Sequence, residues 1–231
     1  SQSDGMGCYP IFACQDWSAL GTDLNWVADQ LVCLSLVTDP FGRYNQQDLL
    51  NTFIDVARPY KQHFVIDLQQ RPEKFVAAHH QRNAHKALKM IAVEVCTEPI
   101  KYLDNWSALY NDLIKRHNIT GITKFSADAF AKQLSTPGIV TFQAKLGDTT
   151  VGMLLWYVQG DVAYYHLGAY SPEGYKLNAS FALFWTLLGY FANERLQWLS
   201  MGAGTGTQED TNDGLTRFTR GWSTGTQTAY F

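Results

Sequence analysis

Metal-binding patterns are missing from this sequence. Its four cysteines stand at positions 8, 14, 33 and 96, with no CxxC spacing and no histidine cluster beside them. That usage speaks against a zinc site and against a disulfide framework in a chain of this size. It fits reduced, mostly buried thiols in a cytoplasmic protein. No apolar run reaches the ~18–20 residues needed to span a bilayer, so no membrane span is expected. The first residues, SQSDGMG, lack a basic region followed by an apolar one; they are expected to be an unstructured leader, not a signal peptide. Charge is scarce as well. Charged residues make up 17% and the net charge is −3, which gives no global attraction to nucleic acid or to a membrane surface. Any polyanionic ligand must therefore meet a local basic patch.

Apolar side chains are present in quantity. Hydrophobic residues make up 46% of the 231 positions, enough for a sizeable core and too many for disorder. The length suits one large domain, or two small ones fused through a common sheet. The aromatics (7 Trp, 12 Tyr and 13 Phe) are mostly core filling, with some available to line a cleft. No internal repeat and no low-complexity linker divides the chain, and a soft boundary is expected near Met90.

Taken in order, CYPIFACQDW (8–17) suits a short edge strand and LVCLSLVTDP (31–40) a firm one, ended by Asp39-Pro40. Asn45 to Tyr60 has helical spacing, with Pro59 limiting its end. HFVIDL (63–68) reads as a strand, and Arg71-Pro72 opens a helix from Glu73 to about Met90. On that helix His79, Arg82, Lys86 and Lys89 share one face. Such a face receives phosphate groups, or is simply solvated. MIAVEVCTEP (90–99) is a strand, Asp104 to His117 an amphipathic helix, and Ser126 caps a shorter helix through Leu134. Three antiparallel strands follow: IVTFQAKLG (139–147), VGMLLWYV (151–158) and DVAYYHLGAY (161–170). A polar loop, SPEGYKLNAS (171–180), leads to an apolar helix over about Phe181 to Asn193, with Asn178 or Ser180 as its cap. LQWLSMGAG (196–204) is a short strand, DGLTRFTRGW (213–222) a short basic helix capped by Asp213, and TGTQTAYF (224–231) a closing strand.

From Met90 onward this order resembles the GNAT acyltransferase fold. Within that superfamily the chain looks like the FemAB-type acyltransferases, relatives of the peptidoglycan interpeptide-bridge enzymes. The resemblance rests on YYHLGAYSPEGYKLNAS (164–180), WLSMGAGTG (198–206) and DGLTRFTRGW (213–222), in that order. It extends into the first half through DPFG (39–42) and HHQRNAHKALK (79–89), and so covers most of the chain. It implies an α/β (α+β) fold, with a mixed, mostly antiparallel sheet flanked by helices. Two GNAT-like halves are expected: a partial one over 1–89 and the acyltransferase core over 90–231. In such folds the sheet splays after its fourth strand and exposes backbone N–H groups to the acyl donor, while the next helix offers its positive end to a phosphate. Here that junction is Ala169 to Ser180.

The implied activity is transfer of an acyl or aminoacyl group to an amine acceptor. Acyl-CoA or aminoacyl-tRNA would serve as co-substrate, with no tightly bound cofactor and no metal. The Arg/Gln-x-x-Gly-x-Gly/Ala signature of acetyl-CoA users is not found at the junction, so the donor stays open. Relatives in this branch usually carry Phe-Lys in the closing motif, where the lysine is thought to help hold a carboxylate or transition-state charge. This chain has Phe218-Thr219.

Candidate site residues follow from chemistry and position. His166 has an unperturbed pKa near ~6.5, suited to a general base that deprotonates an amine, or it is a core histidine. Strand alternation places Tyr164, His166 and Gly168 on one face and Ala163, Tyr165 and Leu167 on the other. Tyr165 is a proton donor for a leaving thiolate, or packing. Arg217 and Arg220, three residues apart on the helix capped by Asp213, fit one anionic ligand, or ordinary surface ion pairs. Lys176 stands where it would reach a donor phosphate. Arg82 and Lys86 are the central cations of the basic face. Gly202, Gly204 and Gly206 permit close backbone approach, or belong to a flexible surface loop; their spacing is not a dinucleotide fingerprint. Two other functions compete: a catalytically inactive GNAT-like ligand-binding module, suggested by Thr219, and an RNA-binding protein that uses the 79–89 basic helix. The sequence does not name the acceptor or the oligomeric state.

Overall fold

Strand-forming runs rich in β-branched and aromatic residues alternate with helices, four of which start at a side-chain cap: Asn45, Ser126, Ser171 and Asp213. The computed structural model describes residues 3–8, 10–204 and 213–231. In chain order the elements are β1 (Ser3–Met6), α1 (Leu20–Asn25), β2 (Leu31–Ser35), α2 (Gln46–Thr52), β3 (Pro59–Asp67), α3 (Pro72–Phe75), α4 (Ala78–Ala87) and β4 (Ala92–Cys96). There follow α5 (Leu103–His117), α6 (Ala127–Leu134), β5 (Ile139–Leu146), β6 (Thr149–Gln159), β7 (Val162–Tyr170), α7 (Pro172–Lys176), α8 (Ala179–Asn193), β8 (Trp198–Ala203), α9 (Gly214–Arg220) and β9 (Gly225–Tyr230). The seven-stranded sheet has the order β4-β5-β6-β7-β8-β3-β9, and β1 pairs with β2 in a separate, parallel two-stranded sheet. β4 to β7 form an antiparallel meander, while β7 runs parallel to β8. This is the mixed, mostly antiparallel sheet expected. No helix of the described residues is long and apolar enough to cross a membrane.

The chain divides into two compact units. The first is built on the chain up to Phe64 and on Gly225–Phe231; the second on Val65–Gly202 and the segment ending at Thr224. In the first, Trp17, Leu20 and Leu49 make a small core with Phe12, Tyr44 and Tyr230 packed on it. Several expectations fail here. The leader is not unstructured, because Ser3–Met6 joins β2 as β1. Among the described residues of 8–17 there is no strand, only a single bridge from Phe12 to Thr38. The helix expected to reach Tyr60 stops at Thr52, and Pro59 instead opens β3, one of the few strand positions that tolerates proline. The start of α2 is held by a capping box: Asn45 Oδ1 accepts from Asp48 N at 3.0 Å and Asp48 Oδ2 accepts from Asn45 N at 2.8 Å. Cys8 and Cys33 are exposed, so the thiols are less buried than their count suggested.

In the second unit the helices cover both faces of the meander. On one face Trp106, Leu109 and Tyr110 of α5 and Phe130 and Leu134 of α6 pack on Met153, Leu155 and Ala169. On the other, α8 places Phe191 against Phe142 and Trp156, and Phe184 against Trp156. α8 is apolar on nearly every side, the pattern of a helix covered all round, and α4 lies along it. The single helix expected from Glu73 to Met90 is two, because Val76 and Ala77 are extended (ψ 129° and 135°). Burial of Val76 and the bond from Ala77 N to Gly221 O, 2.8 Å, hold that break open.

Candidate functional site

The sheet parts beside β7. This strand runs from Val162 to Tyr170, yet it pairs with β8 only at Val162–Trp198, Ala163–Leu199 and Tyr164–Ser200. β8 continues to Ala203; from Tyr165 onward the register between the two strands ends. The cause lies on the opposite edge of β7. Trp156 of β6 faces Tyr165, while Leu155 faces Leu167, so His166 is an extra residue with no partner opposite. A bulge of this kind bends its strand and sharpens the twist. It comes two residues after Tyr164, the last residue paired to β8, so β7 turns away there. Among the described residues β8 gives Tyr165–Tyr170 no strand partner, so the backbone polar groups on that side of β7 are available to a ligand or water.

The bulge also overturns the expected faces. His166 and Leu167 both lie on the α5–α6 side: His166 Nε2 is 3.0 Å from Gln133 Oε1, and its ring stands 5.2 Å from Tyr157. Leu167 packs on the α5–α6 core. Tyr165 lies on the α8 side, against Trp156 at 5.2 Å and Phe184 at 5.7 Å. Gly168 joins it, because a Cβ there would stand 2.5 Å from the Tyr165 hydroxyl and 2.7 Å from Leu154. Strict alternation had put Gly168 with His166. The structure therefore does not bring the His166 ring and the Tyr165 hydroxyl together.

Burial sets their proton chemistry. It lowers the His166 pKa from 6.5 to about 4, so the ring is neutral near pH 7. With Nε2–H given to Gln133, Nδ1 keeps its lone pair. Burial, with the neighbouring Tyr175 second, raises Tyr165 above its ordinary value, which keeps the phenol protonated. Tyr170 is raised for the same reason, with Tyr165 and Tyr175 adding to it.

After Tyr170 the chain turns through Ser171-Pro172 into α7, not through the loop expected. Ser171 Oγ accepts from Gly174 N at 3.1 Å and Pro172 opens the helix. Gly174 seats this helix on β6: a Cβ there would fall 2.0 Å from Val151 O. Lys176 ends α7 exposed, 3.3 Å from Glu173. Asn178 is the N-cap of α8, in left-handed conformation (φ 58°) and with no side-chain bond to the first turn. Ser180, the alternative cap, lies inside the helix.

The remaining candidates are scattered over exposed surface. Arg217 and Arg220 are both exposed on α9. Asp213 caps that helix as expected, accepting from Leu215 N at 2.8 Å and Thr216 N at 2.9 Å. Thr219, at the position where the resemblance implied a lysine, is buried. His79, Arg82, Lys86 and Lys89 are all exposed, although Lys89 lies beyond the end of α4. Gly202 has a positive φ of 79°; Gly206 lies outside the described residues. Among the described residues no group of His, Cys, Asp and Glu could hold a metal ion. Two contacts had no usable sequence signal. Arg116 lies 3.9 Å above the Tyr175 ring, and Gln133 on α6 reaches His166 across 33 positions of chain.

Residues 78–210 match a family profile described as "Acetyltransferase (GNAT) domain". The chain belongs to this GNAT family. The splayed strand pair lies within the matched stretch. A search of curated protein sequences finds no match. Among solved structures, FemX is similar, with TM-score 0.69 and 12% identity over 93% of this chain and 77% of that one. The C-terminal domain of a protein assigned as a lysylphosphatidylglycerol synthetase, from Agrobacterium fabrum, gives 0.68 and 14% over 90% and 71%. L-PGS from Bacillus licheniformis gives 0.64 and 13% over 90% and 70%. At these identities the likeness is one of fold, and it is the FemAB-like GNAT fold.

Proposed function

We propose that the chain transfers an acyl or aminoacyl group to an amine, with the donor carbonyl presented in the opening between β7 and β8. The observation that carries this reading is the end of β7–β8 pairing at Tyr164–Ser200. Backbone N–H groups freed there are suited to a developing oxyanion, and their value lies in being fixed before the reaction begins. The neutral Nδ1 of His166 takes the proton from the attacking nitrogen. The Tyr165 hydroxyl, protonated and beside Gly168, supplies one to the leaving group from the other face. Arg217 and Arg220 hold an anionic part of donor or acceptor, the cap Asp213 sets their helix, and Lys176 meets a donor phosphate. Acyl-CoA or aminoacyl-tRNA serves as the donor. With aminoacyl-tRNA, Arg82 and Lys86 on their exposed face would meet the nucleic-acid backbone. Either donor places the protein in the cytoplasm.

Native mass spectrometry of protein isolated from cells tests the donor. A co-purified CoA thioester supports acyl-CoA, and bound tRNA supports aminoacyl transfer. Protein free of both, which also releases no thiol from acetyl-CoA in the presence of primary amines, would overturn the reading. One observation favours the inactive binding module as a second reading: Thr219 puts a buried neutral group where the branch has a cation. Thr219→Lys distinguishes the two, since a gain in thiol release marks a decayed enzyme. Donor binding without turnover in both forms marks a binding module.

A further inference from the structure

A buried residue, His80, has no task in the reading above. It is 1% exposed and lies in α4 between α8 and α9, both in the same unit. Its ring centroid is 5.0 Å from Phe181 of α8, 5.4 Å from Phe218 of α9 and 5.0 Å from Trp222 just beyond α9. Its Nε2 stands 3.0 Å from the carbonyl oxygen of Phe218. A carbonyl only accepts, so Nε2 carries the proton and donates. Burial, and secondly His79, lower the pKa of the ring to about 4, against a small opposing effect of the Phe218 bond. The ring is therefore neutral, and Nδ1 is unprotonated.

The bond matters because of which carbonyl it takes. The last carbonyls of a helix have no partner within the helix. At the end of α9, Arg217 O accepts from Gly221 N (3.2 Å), Thr219 O from Trp222 N (3.1 Å) and Arg220 O from Ser223 N (3.2 Å). The chain tightens from one ladder to the next at this point and skips Phe218 O. His80 fills that gap from another element. A second tie lies beside it, Ala77 N to Gly221 O at 2.8 Å. Gly221 is part of the same device: a Cβ there would fall 2.2 Å from Cε1 and 2.6 Å from Nε2 of the His80 ring. Only glycine lets the helix end close over the imidazole.

We propose that His80 is a positioning residue that caps α9 and sets the direction in which Arg217 and Arg220 meet an anionic ligand. It touches neither substrate nor reacting atoms. The role given to the two arginines rests on the proposed transfer function; the clamp itself does not.

Three variants test it. His80→Phe keeps the ring and loses the donor, and His80→Gln keeps a donor of similar reach. Ala77→Pro removes the second tie without touching the core, since Ala77 already has φ −54° and Val76 before it is extended. Hydrogen exchange followed by mass spectrometry reads the amides of 214–222, and calorimetry reads binding of coenzyme A. In His80→Phe the α9 amides are expected to exchange at least about tenfold faster, with β5 and β6 unchanged, and coenzyme A to bind about tenfold more weakly. His80→Gln should restore most of both, and Ala77→Pro should also speed α9 exchange. Equal losses in His80→Phe and His80→Gln would mean that ring volume matters and the donor does not, which overturns the proposal. So would α9 exchange within twofold of wild type in both His80→Phe and Ala77→Pro. If both His80 variants fail to fold, Ala77→Pro decides. Wild-type protein that does not bind coenzyme A counts against the acyl-CoA reading, while the exchange arm still decides the clamp.

Discussion

His166 illustrates how far a single environment moves an ordinary side chain. Its ring is half-buried at a bulge, donates to Gln133, and has a pKa lowered to about 4 by partial loss of solvent. A general base works best when its pKa lies near the working pH, so this imidazole is a weak base held permanently in its acceptor form. His166→Gln should therefore lower kcat/KM towards the small end of the range for such groups, about 10²-fold. The ratio of wild type to variant should stay constant from pH 7.5 to 6, because the ring is neutral throughout. A ratio collapsing through pH 6.5 would show an ordinary solvated histidine and end this assignment. Tyr165 makes the complementary case. Tyr165→Phe keeps the packing on Trp156 and Phe184, so the melting temperature should hold within a few degrees. A fall in kcat of about tenfold or more, with KM steady, is expected if the hydroxyl donates to the leaving group. An unchanged kcat leaves it as packing alone.

At the scale of elements, two short helices, α7 and α9, depend on single residues. α7 sits so close to β6 that Gly174 leaves no room for a methyl group: its Cβ would overlap Val151 O, a backbone atom that cannot rotate away. Gly174→Ala should destabilise by about 2 kcal/mol, or about 4–8 °C in melting temperature for a unit of this size. Calorimetry that finds no shift would show α7 to be loosely held. At α9, Asp213 satisfies two N–H groups of the first turn. Asp213→Ala should cost about 1 kcal/mol while Asp213→Asn retains most of it, read from urea midpoints. Legibility followed the same division. Asp213 and Ser126 were readable because capping is a local rule, and both cap as expected. Ser171-Pro172 carried the same signal, masked by the surrounding Gly, Lys and Asn that suggested a loop. The break at Val76–Ala77 was not readable, since it depends on Gly221, a residue 144 positions further along the chain. The faces of His166 and Gly168 failed for a similar reason: alternation assumes an unbroken register, and the register is set by β6.

For the whole molecule, the meander and the long apolar helix were legible because they follow from element order within one contiguous stretch, whereas the sheet parts after Tyr164 and not at the expected junction of Ala169 to Ser180, since the bulge at His166 is set by β6. The first unit was less legible. Its small core draws Tyr230 from the far end of the chain, and β1 pairs with β2 across a segment that shows no periodicity. One property belongs to the molecule rather than to any site. His63, His80 and His166 are each lowered by burial from 6.5 to about 4. In the unfolded chain they take up protons near 6.5, and in the folded protein only near 4. Above pH 6.5 both states are neutral at these positions and stability is complete. As pH falls from 6.5 to 4 the unfolded state binds up to three more protons, and stability falls by up to about 4 kcal/mol per pH unit. Set against a typical total of about 5–15 kcal/mol, this should bring unfolding before the native rings themselves titrate. Urea midpoints are thus expected to be level from pH 8 to 7 and to drop steeply between 6 and 5. His63→Gln, which removes one of the three groups from the balance, should make that drop about a third shallower. A midpoint as high at pH 5 as at pH 7 would mean that these rings are protonated in the native protein, and the neutral His166 of the proposed site and the neutral His80 of the α9 clamp would have to be abandoned.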